Sequence, residues 1–528
     1  MSYGLPEMVN SDGIAKRQQI QFGGYNHNYH AQDGEIWDME NMSSDKYPLL
    51  SPRKPRYQLR KLENPNGLYA SDALYWVDGT EVYRDGVKIG DVADGKKQWV
   101  SIGDLLIILP DKVYYNTVSG AFGSLEAKWE GAVTIRDGTF AGVAAAANTI
   151  HAEGADWASL FRVGDAVAIT GCQIHAENNK TPIIREIEGD EIRFYENVFV
   201  TNEGGDLEQV TISREMPDLE LICEHENRLW GCAGNTIFSC KQNDPFNWNV
   251  YDGLTDDSYY VPVTSPGPFT GCCSYRGYVY FFKEDNIYRI YGDRPSNFQA
   301  MDSASLGVAR GSEESIAVAG ETMFYLARTG IVAYTGGVPQ SIAAPFGMDR
   351  YANAVAGSDG TKYYVSMEDA YGKYHLFVYD TRNGLWHRED ETQAVGFGWK
   401  DGLYCLNQKG ELWLNGDARM IPEQAVPELG PFSRAEFGDF VEGDPNRKGV
   451  SKLQLRMELG EGAMVDILIQ FDSDGIWRKV KTLTAYKKRS YYLPIVPRRC
   501  DHFRIKIYAQ GHWKLYSMVR ESYSGSEL

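Results

Sequence analysis

The chain has 528 residues, too many for one ordinary hydrophobic core, and 43% are hydrophobic, so two or three domains with real cores are expected. A formal net charge of −19 excludes a general nucleic-acid binder, which needs a basic footprint, but suits either an ordinary acidic surface or one past which DNA slides without sticking. The 34 Tyr and 54 Gly fit short strands with frequent tight turns and exclude a mostly helical protein.

Residues 1–60 read as an irregular arm. Phe22–Tyr25 and Glu35–Met42 hold scattered apolar anchors, and three prolines in Tyr47–Arg56 exclude helix and central strand. Arg53, Lys54, Arg56, Arg60 and Lys61 form a basic cluster, read as a solvated segment or as a contact for phosphate or an acidic partner. Blade-like meanders begin at Gly67, with Asp78-Gly79 and Asp85-Gly86 as hairpin turns because this pair tolerates the positive φ of type I′. A second unit follows over Gln98–Asn116. The rhythm then breaks. Residues 129–214, with an Ala-rich stretch at Ala141–Ala147 and Val163-Gly164-Asp165 before an alternating segment, read as an inserted small β-barrel.

From Leu219 to Asp417 aromatic hairpins recur. Gly277–Gly292 (GYVYFFKEDNIYRIYG) is one such hairpin, with period-two alternation on both sides of Glu284-Asp285-Asn286. Thr322–Thr335, Leu403–Leu414 and Arg228–Cys240 repeat the unit, at intervals of roughly 40–50 residues, which is the spacing of propeller blades. Whether an N-terminal strand completes the last blade is left open. After Phe432 the strands lengthen, as in Lys452–Leu459 and Ala463–Phe471, and indicate a jelly-roll-like sandwich. The expected fold is therefore all-β: an approximately seven-bladed β-propeller with an inserted small β-barrel domain and a C-terminal β-sandwich. The expected boundaries are an arm at 1–60, blades at 61–128, the insertion at 129–214, blades at 215–428 and the sandwich at 429–528.

The cysteines (Cys172, Cys223, Cys232, Cys240, Cys272, Cys273, Cys405, Cys500) sit mostly in apolar strand patterns without a CxxC pair and read as reduced thiols. With no apolar leader core and no apolar run approaching 18 residues, a soluble protein made in the cytoplasm is expected, without a membrane-spanning segment. A search for chemistry finds no HExxH, no P-loop and no nucleophile elbow. His225 lies between Glu224 and Glu226, but neighbours on a strand point to opposite faces and cannot chelate one ion. Asp472–Trp477 looks like a calcium loop, yet its twelfth position is Leu483 instead of Glu, so a turn is expected. No spacing singles out a carboxylate pair, and Trp76, Trp230, Trp386, Trp399 and Trp413 read as core residues. No catalytic, cofactor-binding or metal residue is assigned, and an enzyme is not expected.

Three stretches carry a resemblance: Asp244-Pro245-Phe246-Asn247-Trp248, then Tyr278–Gly292, then Ser305-Leu306-Gly307 leading to Phe324–Gly337. Their order resembles the β-propeller tail-hub, nozzle and packaged-DNA stabilisation proteins of tailed bacteriophages, and Phe161–Thr170 with Asn179-Lys180-Thr181 is similar to the small barrel of that group. The resemblance spans residues 20–425 and implies a virion tail protein that forms a ring of six copies below the portal and adaptor. Genomic DNA would pass through that ring without sequence-specific binding, and other tail proteins would dock outside it. The alternatives are a receptor- or polysaccharide-binding tail-tip protein, with a host glycan at the C-terminal domain, and a propeller lyase or sialidase.

Overall fold

The computed structural model describes residues 14–28, 32–140, 143–195, 198–202, 207–430, 432–443, 447–484, 487–496 and 498–524. The start of the expected arm and part of the Ala-rich stretch (141–142) lie outside these. The fold is all-β, a β-propeller of seven blade sheets with an inserted barrel and a β-sandwich. Contacts divide it into two compact units, Tyr75–Val308 and Met1–Leu74 with Ala309–Leu528.

In the unit Tyr75–Val308 each blade is an antiparallel meander. Leu74–Asp78, Glu81–Arg84 and Val87–Asp91 form one, turning at Asp85 (φ 47°) and Gly86 (φ 95°) as the Asp-Gly pair predicts. Gln98–Ile102, Leu105–Leu109, Val113–Asn116 and Phe122–Ser124 make the next. The third runs from Leu221–His225 through Arg228–Ala233 and Thr236–Ser239 to Tyr259–Pro262, and the fourth from Gly271–Tyr275 through Tyr278–Phe282 and Asn286–Tyr291 to Gln299–Ala304. Alternation gives each sheet an inner apolar face, so Trp230, Phe281 and Ile290 pack into one core and Ile107, Leu229 and Trp248 into another.

The insertion is built on a long hairpin, Ala127–Phe140 with Val143–His151, that the sequence reading missed. After Val163-Gly164-Asp165, where an alternating strand is expected, only the short strand Ala168–Thr170 forms, and a single helical turn (Trp157–Leu160) precedes it. Six strands form the sheet, and the segments leading into its two outer strands are joined by Gly164 N–H to Ile184 O (2.8 Å), Val167 N–H to Pro182 O (3.1 Å) and Ile169 N–H to Lys180 O (2.8 Å), which closes it as a barrel. Ile135, Ile150, Trp157, Phe161, Val167 and Ile212 fill its core.

In the other unit, Ala317–Ala319 to Gln340–Ser341 and Tyr351–Ser358 to Leu385–Arg388 form two four-stranded blades. The last blade takes Ala394–Trp399, Leu403–Asn407 and Glu411–Leu414 from one part of the chain and Tyr57–Lys61 from the N-terminal part, in register Glu411↔Lys61 to Leu414↔Tyr57. An N-terminal strand thus completes that blade. The sandwich also draws on the N-terminal part: Ile14–Gln19 pairs with Trp513–Ser524 in one sheet, and Ile36–Glu40 pairs with Phe432–Phe437 in the other. Between these strands, Phe22 packs on Phe437 and Tyr25 on Phe346 and Phe377, so residues expected as an arm lie inside a continuous core. Gly24 permits this approach, since a Cβ there would lie 2.3 Å from the Trp386 carbonyl oxygen.

A buried charge cluster holds the same segment. Arg53 forms a fork with Glu428 (2.8 and 2.9 Å), and Arg56 reaches Asp390 (2.7 Å) and Glu389. The basic cluster read from sequence is therefore divided: Arg53 and Arg56 are buried on internal carboxylates, Lys54 pairs with Asp417, and Arg60 and Lys61 are exposed on the blade-completing strand. Burial alone would raise the Asp390 carboxyl, but Arg56 and Arg53 outweigh it and hold that group below the usual range. Asp380, which accepts from Ser44 Oγ (2.6 Å), likewise sits at about 2 against the burial effect. Burial, aided by the Lys362 charge, depresses the neighbouring His387 imidazole to about 4.

Two outcomes follow from this cluster. Arg56→Ala leaves the buried Glu389 and the half-buried Asp390 without their closest cation and is expected to cost about 3–5 kcal/mol in urea unfolding. Both His387 and Asp380 have depressed folded values, so their stability is present above the unfolded values and is lost on acidification. The first loss falls between pH 6.5 and about 4, where the unfolded His387 takes a proton that the folded one refuses, worth at most about 3 kcal/mol. The Asp380 contribution is lost between its ordinary value of 3.8 and about 2. In melting curves against pH, His387→Gln should abolish the upper step and leave the lower one.

Candidate functional site

The junction between the inserted barrel and its blades is the most elaborate polar site of the unit Tyr75–Val308. It joins two stretches singled out in the sequence, Val163-Gly164-Asp165 and Asp244–Trp248. Gly164 adopts φ 95°, which turns the chain so that Asp165 enters the interior at 1% exposure. Its carboxylate accepts from Arg162 N–H (2.9 Å) and Asn247 Nδ2 (3.2 Å) and pairs with the buried Arg214 guanidinium. Asn247 completes a two-way contact by accepting from Ala166 N–H (2.9 Å). Phe246 lies under two cations, with Arg162 at 3.6 Å and Arg214 at 5.0 Å from the ring centre. Trp248 donates to Pro245 O (2.9 Å), which fixes the turn that presents Phe246 and Asn247. The arrangement is a clamp. It satisfies each buried charge and sets the barrel against the blade sheets.

Cavities flank the clamp. One of about 570 Å³ runs along the barrel stem and is lined by Lys112, Glu126, Arg214 and Asp218 among others. Its central cation is committed, since Lys112 Nζ contacts Glu126 (2.6 Å), Asp218 (2.6 Å) and Met216 O (2.8 Å). The other, about 370 Å³, has Leu105, Tyr114, Pro245 and Phe246 at its apolar side and Asp104, Asn116, Arg162, Asn227 and Asn243 at its polar side.

His225 bonds Ser274 Oγ through Nδ1 (2.9 Å) and stands 3.9 Å from Glu226, without a ligand set. Asp472 lies in a turn, as expected, at φ 52°, but the fold brings it beside Asp501 and His502, whose ligand atoms lie within 4.8 Å of one another. Sequence spacing could not show this, because Asp501 and His502 come from a distant strand connection. Both His502 nitrogens are engaged, Nδ1 with Asp501 and Nε2 with Ser473 Oγ (2.7 Å), and Asp501 N–H donates to Asp472 (2.9 Å). These contacts lock two loops together, and an ion entering there would have to displace them. Trp76, Trp230 and Trp386 are buried as expected, whereas Trp399 is 48% exposed. Glu224 is the one carboxylate in the first strands Gln98–Ile102, Leu221–His225, Gly271–Tyr275, Ala317–Ala319, Tyr351–Ser358 and Ala394–Trp399, and it accepts from Asn227 N–H (2.8 Å).

No protein-family model matches the chain, and no curated protein does. Solved structures do. An exo-β-1,3-galactanase from Phanerochaete chrysosporium is similar at 9% identity over 57% of this chain and 95% of its own, with a TM-score of 0.21. PorZ, a bacterial surface component of the type-IX secretion system of Porphyromonas gingivalis, is similar at 10% identity over 87% of this chain and 71% of its own, with a TM-score of 0.28. An engineered GH43 glycoside hydrolase is similar at 9% identity over 59% and 98%, with a TM-score of 0.20. The expectation that the chain is not an enzyme is corrected by this set, in which glycoside hydrolases recur. At these identities and TM-scores the likeness assigns no reaction or substrate.

The clamp itself is testable. Arg214→Met strips the buried Asp165 of its counter-charge and should cost about 3–5 kcal/mol, whereas Asn247→Ala, which removes the amide from the Asp165 and Asp244 carboxylates and from the Ala166 N–H, should cost about 1–3 kcal/mol. Urea unfolding followed by tryptophan fluorescence measures both. Equal losses would show that charge pairing is not the principal anchor.

Proposed function

We propose that the chain is a structural subunit of a tailed-bacteriophage virion, assembling as a ring of six copies that adjoins the portal or adaptor, passes genomic DNA and docks other tail proteins. The observation that carries this reading is the independence of the inserted barrel. The blade sheet Gln98–Ser124 has its four strands without it, and the barrel closes on a core of its own. Its attachment is nevertheless rigid, through Asp165, Arg214 and Asn247. A module that the blades do not need for their own sheets, yet hold firmly, is suited to contacts with another subunit. The motif order described above supports the same reading, and so does the net charge of −19, which disfavours phosphate adhering to the wall of a conduit.

A second reading, attachment to a receptor or polysaccharide at a tail tip, is favoured by one feature of the sandwich. Phe432 and Tyr508, 50% and 41% exposed, stack at 5.4 Å with 15° between their planes beside the exposed Met464. Such a platform suits the apolar face of a sugar ring. Sugar binding there is measured on the full chain, because the sandwich includes Ile14–Gln19 and Ile36–Glu40.

Ala127 and Arg214 are paired across the barrel stem, so residues 128–213 can be replaced by a short Gly-Ser link without separating the chain ends. The shortened protein is expected to stay folded by circular dichroism and to be monomeric by mass photometry, whereas the full chain forms rings. Rings from the shortened protein would refute the role of the barrel, and failure of the full chain to assemble would refute the ring.

A further inference from the structure

We infer that the 370 Å³ cavity beside the clamp is a binding subsite for a neutral polyhydroxylated ligand, of the size and chemistry of a hexose unit. Its volume falls within the range of small-molecule sites, which runs from about 300 to 1,000 Å³. The polar side combines three primary amides, which both donate and accept, with the Asp104 carboxylate, which accepts, and the Arg162 guanidinium, which donates. Among the described residues no hydrogen bond engages the side-chain amides of Asn227 and Asn243 or the carboxylate of Asp104. Asn116 uses only its amide oxygen, accepting from Val118 N–H (3.0 Å) and Ser119 N–H (2.7 Å), which leaves its amide nitrogen available.

The side chains of Asp104, Asn227 and Asn243 are exposed, and the backbone that carries the two asparagines is held in place. Asn227 and Asn243 sit at φ 58° and 60°, each at the tip of a tight turn, and Asn243 N–H donates to Asn227 O (2.8 Å), so the turns are fixed to one another. Opposite them, Tyr114 meets Phe246 edge to face at 5.2 Å and supplies a rigid apolar wall. Adjacent hydroxyls on a ring are each a donor and an acceptor, and primary amides match them in pairs. Charge argues for a neutral ligand. Arg162 is drawn over Phe246 and stands 3.5 Å from Asp165 and 3.4 Å from Asp244, so it is already compensated, while Asp104 repels an acid. The site is separate from the Phe432 platform and does not depend on ring assembly.

The test is isothermal titration of the full chain with glucose, galactose and mannose, with glucuronate as an anionic control. Asn227→Gly and Asn243→Gly remove the amides and suit the positive φ, so both variants should keep the wild-type melting temperature. Saturable binding of at least one neutral hexose, weakened about tenfold by either variant and absent for glucuronate, is the expected result, since losing an amide removes one to two hydrogen bonds. Absence of saturable binding by all three hexoses overturns the inference. So does binding that both variants retain, and binding lost instead in Phe432→Ala would move the site to the sandwich and overturn it equally.

Discussion

Arg53 and Arg56 turn into the interior of their unit within one short Pro-containing segment, and the elements on either side take their places from that anchorage. Downstream, the chain is delivered in register to Glu411–Leu414, where Tyr57–Lys61 completes a blade that would otherwise expose an unpaired edge. Upstream, Phe22, Tyr25, Ile36 and Met39 are held where blade and sandwich cores meet. The carboxylates that receive the two arginines come from separate places: Glu389 and Asp390 after one blade strand, and Glu428 in the connection to the sandwich. Loss of one arginine therefore loosens several elements together. A buried ion pair contributes little net stability over an apolar pair, but once built it is costly to break from one side.

The clamp at Asp165 applies the same physics on a smaller scale. A barrel inserted into a propeller has to be fixed at its stem, where Leu125 and Met216 of the two crossings join one apolar cluster and the polar groups must be paired. Arg214 lies on the returning strand, Asp165 in the barrel and Asn247 beyond the next blade strands, so one carboxylate ties three parts of the unit. Phe246 supplies the apolar contribution by stacking beneath both arginines.

Much of the fold was legible because aromatic and β-branched alternation ending at Gly, Asn or Asp is a local signal. Tyr278–Phe282 and Asn286–Tyr291 appear where the letters of Gly277–Gly292 put them. The long hairpin Ala127–Phe140 with Val143–His151 was missed because its second strand is rich in alanine, which neither alternates visibly nor favours strands. The sandwich strands Ile14–Gln19 and Ile36–Glu40 were read as arm because each is short and pairs with residues hundreds of positions away. The charged sites were the least legible. Arg53 and Arg56 look like solvated residues until Glu389, Asp390 and Glu428 are placed beside them, and Asp472 shows no relation to Asp501 and His502 along the chain. Asp165 and Asn247 were both inside stretches noted for their pattern, but nothing in either stretch tells of the other.

Charge is also partitioned along the chain in a way that bears on assembly. Residues 429–528 hold 17 Lys and Arg against 12 Asp and Glu, a net of +5, so the rest of the chain carries −24. The insertion, residues 129–214, has 6 basic against 14 acidic residues, a net of −8. At physiological ionic strength charges are screened beyond about 8 Å, so these totals neither attract nor repel copies at a distance. They act once surfaces meet. Two insertions brought together would set carboxylates against carboxylates at short range and two sandwiches would set cations against cations, whereas an insertion meeting a sandwich would set opposite signs together. A contact between two insertions is therefore disfavoured at short range, and one between an insertion and a sandwich surface is favoured.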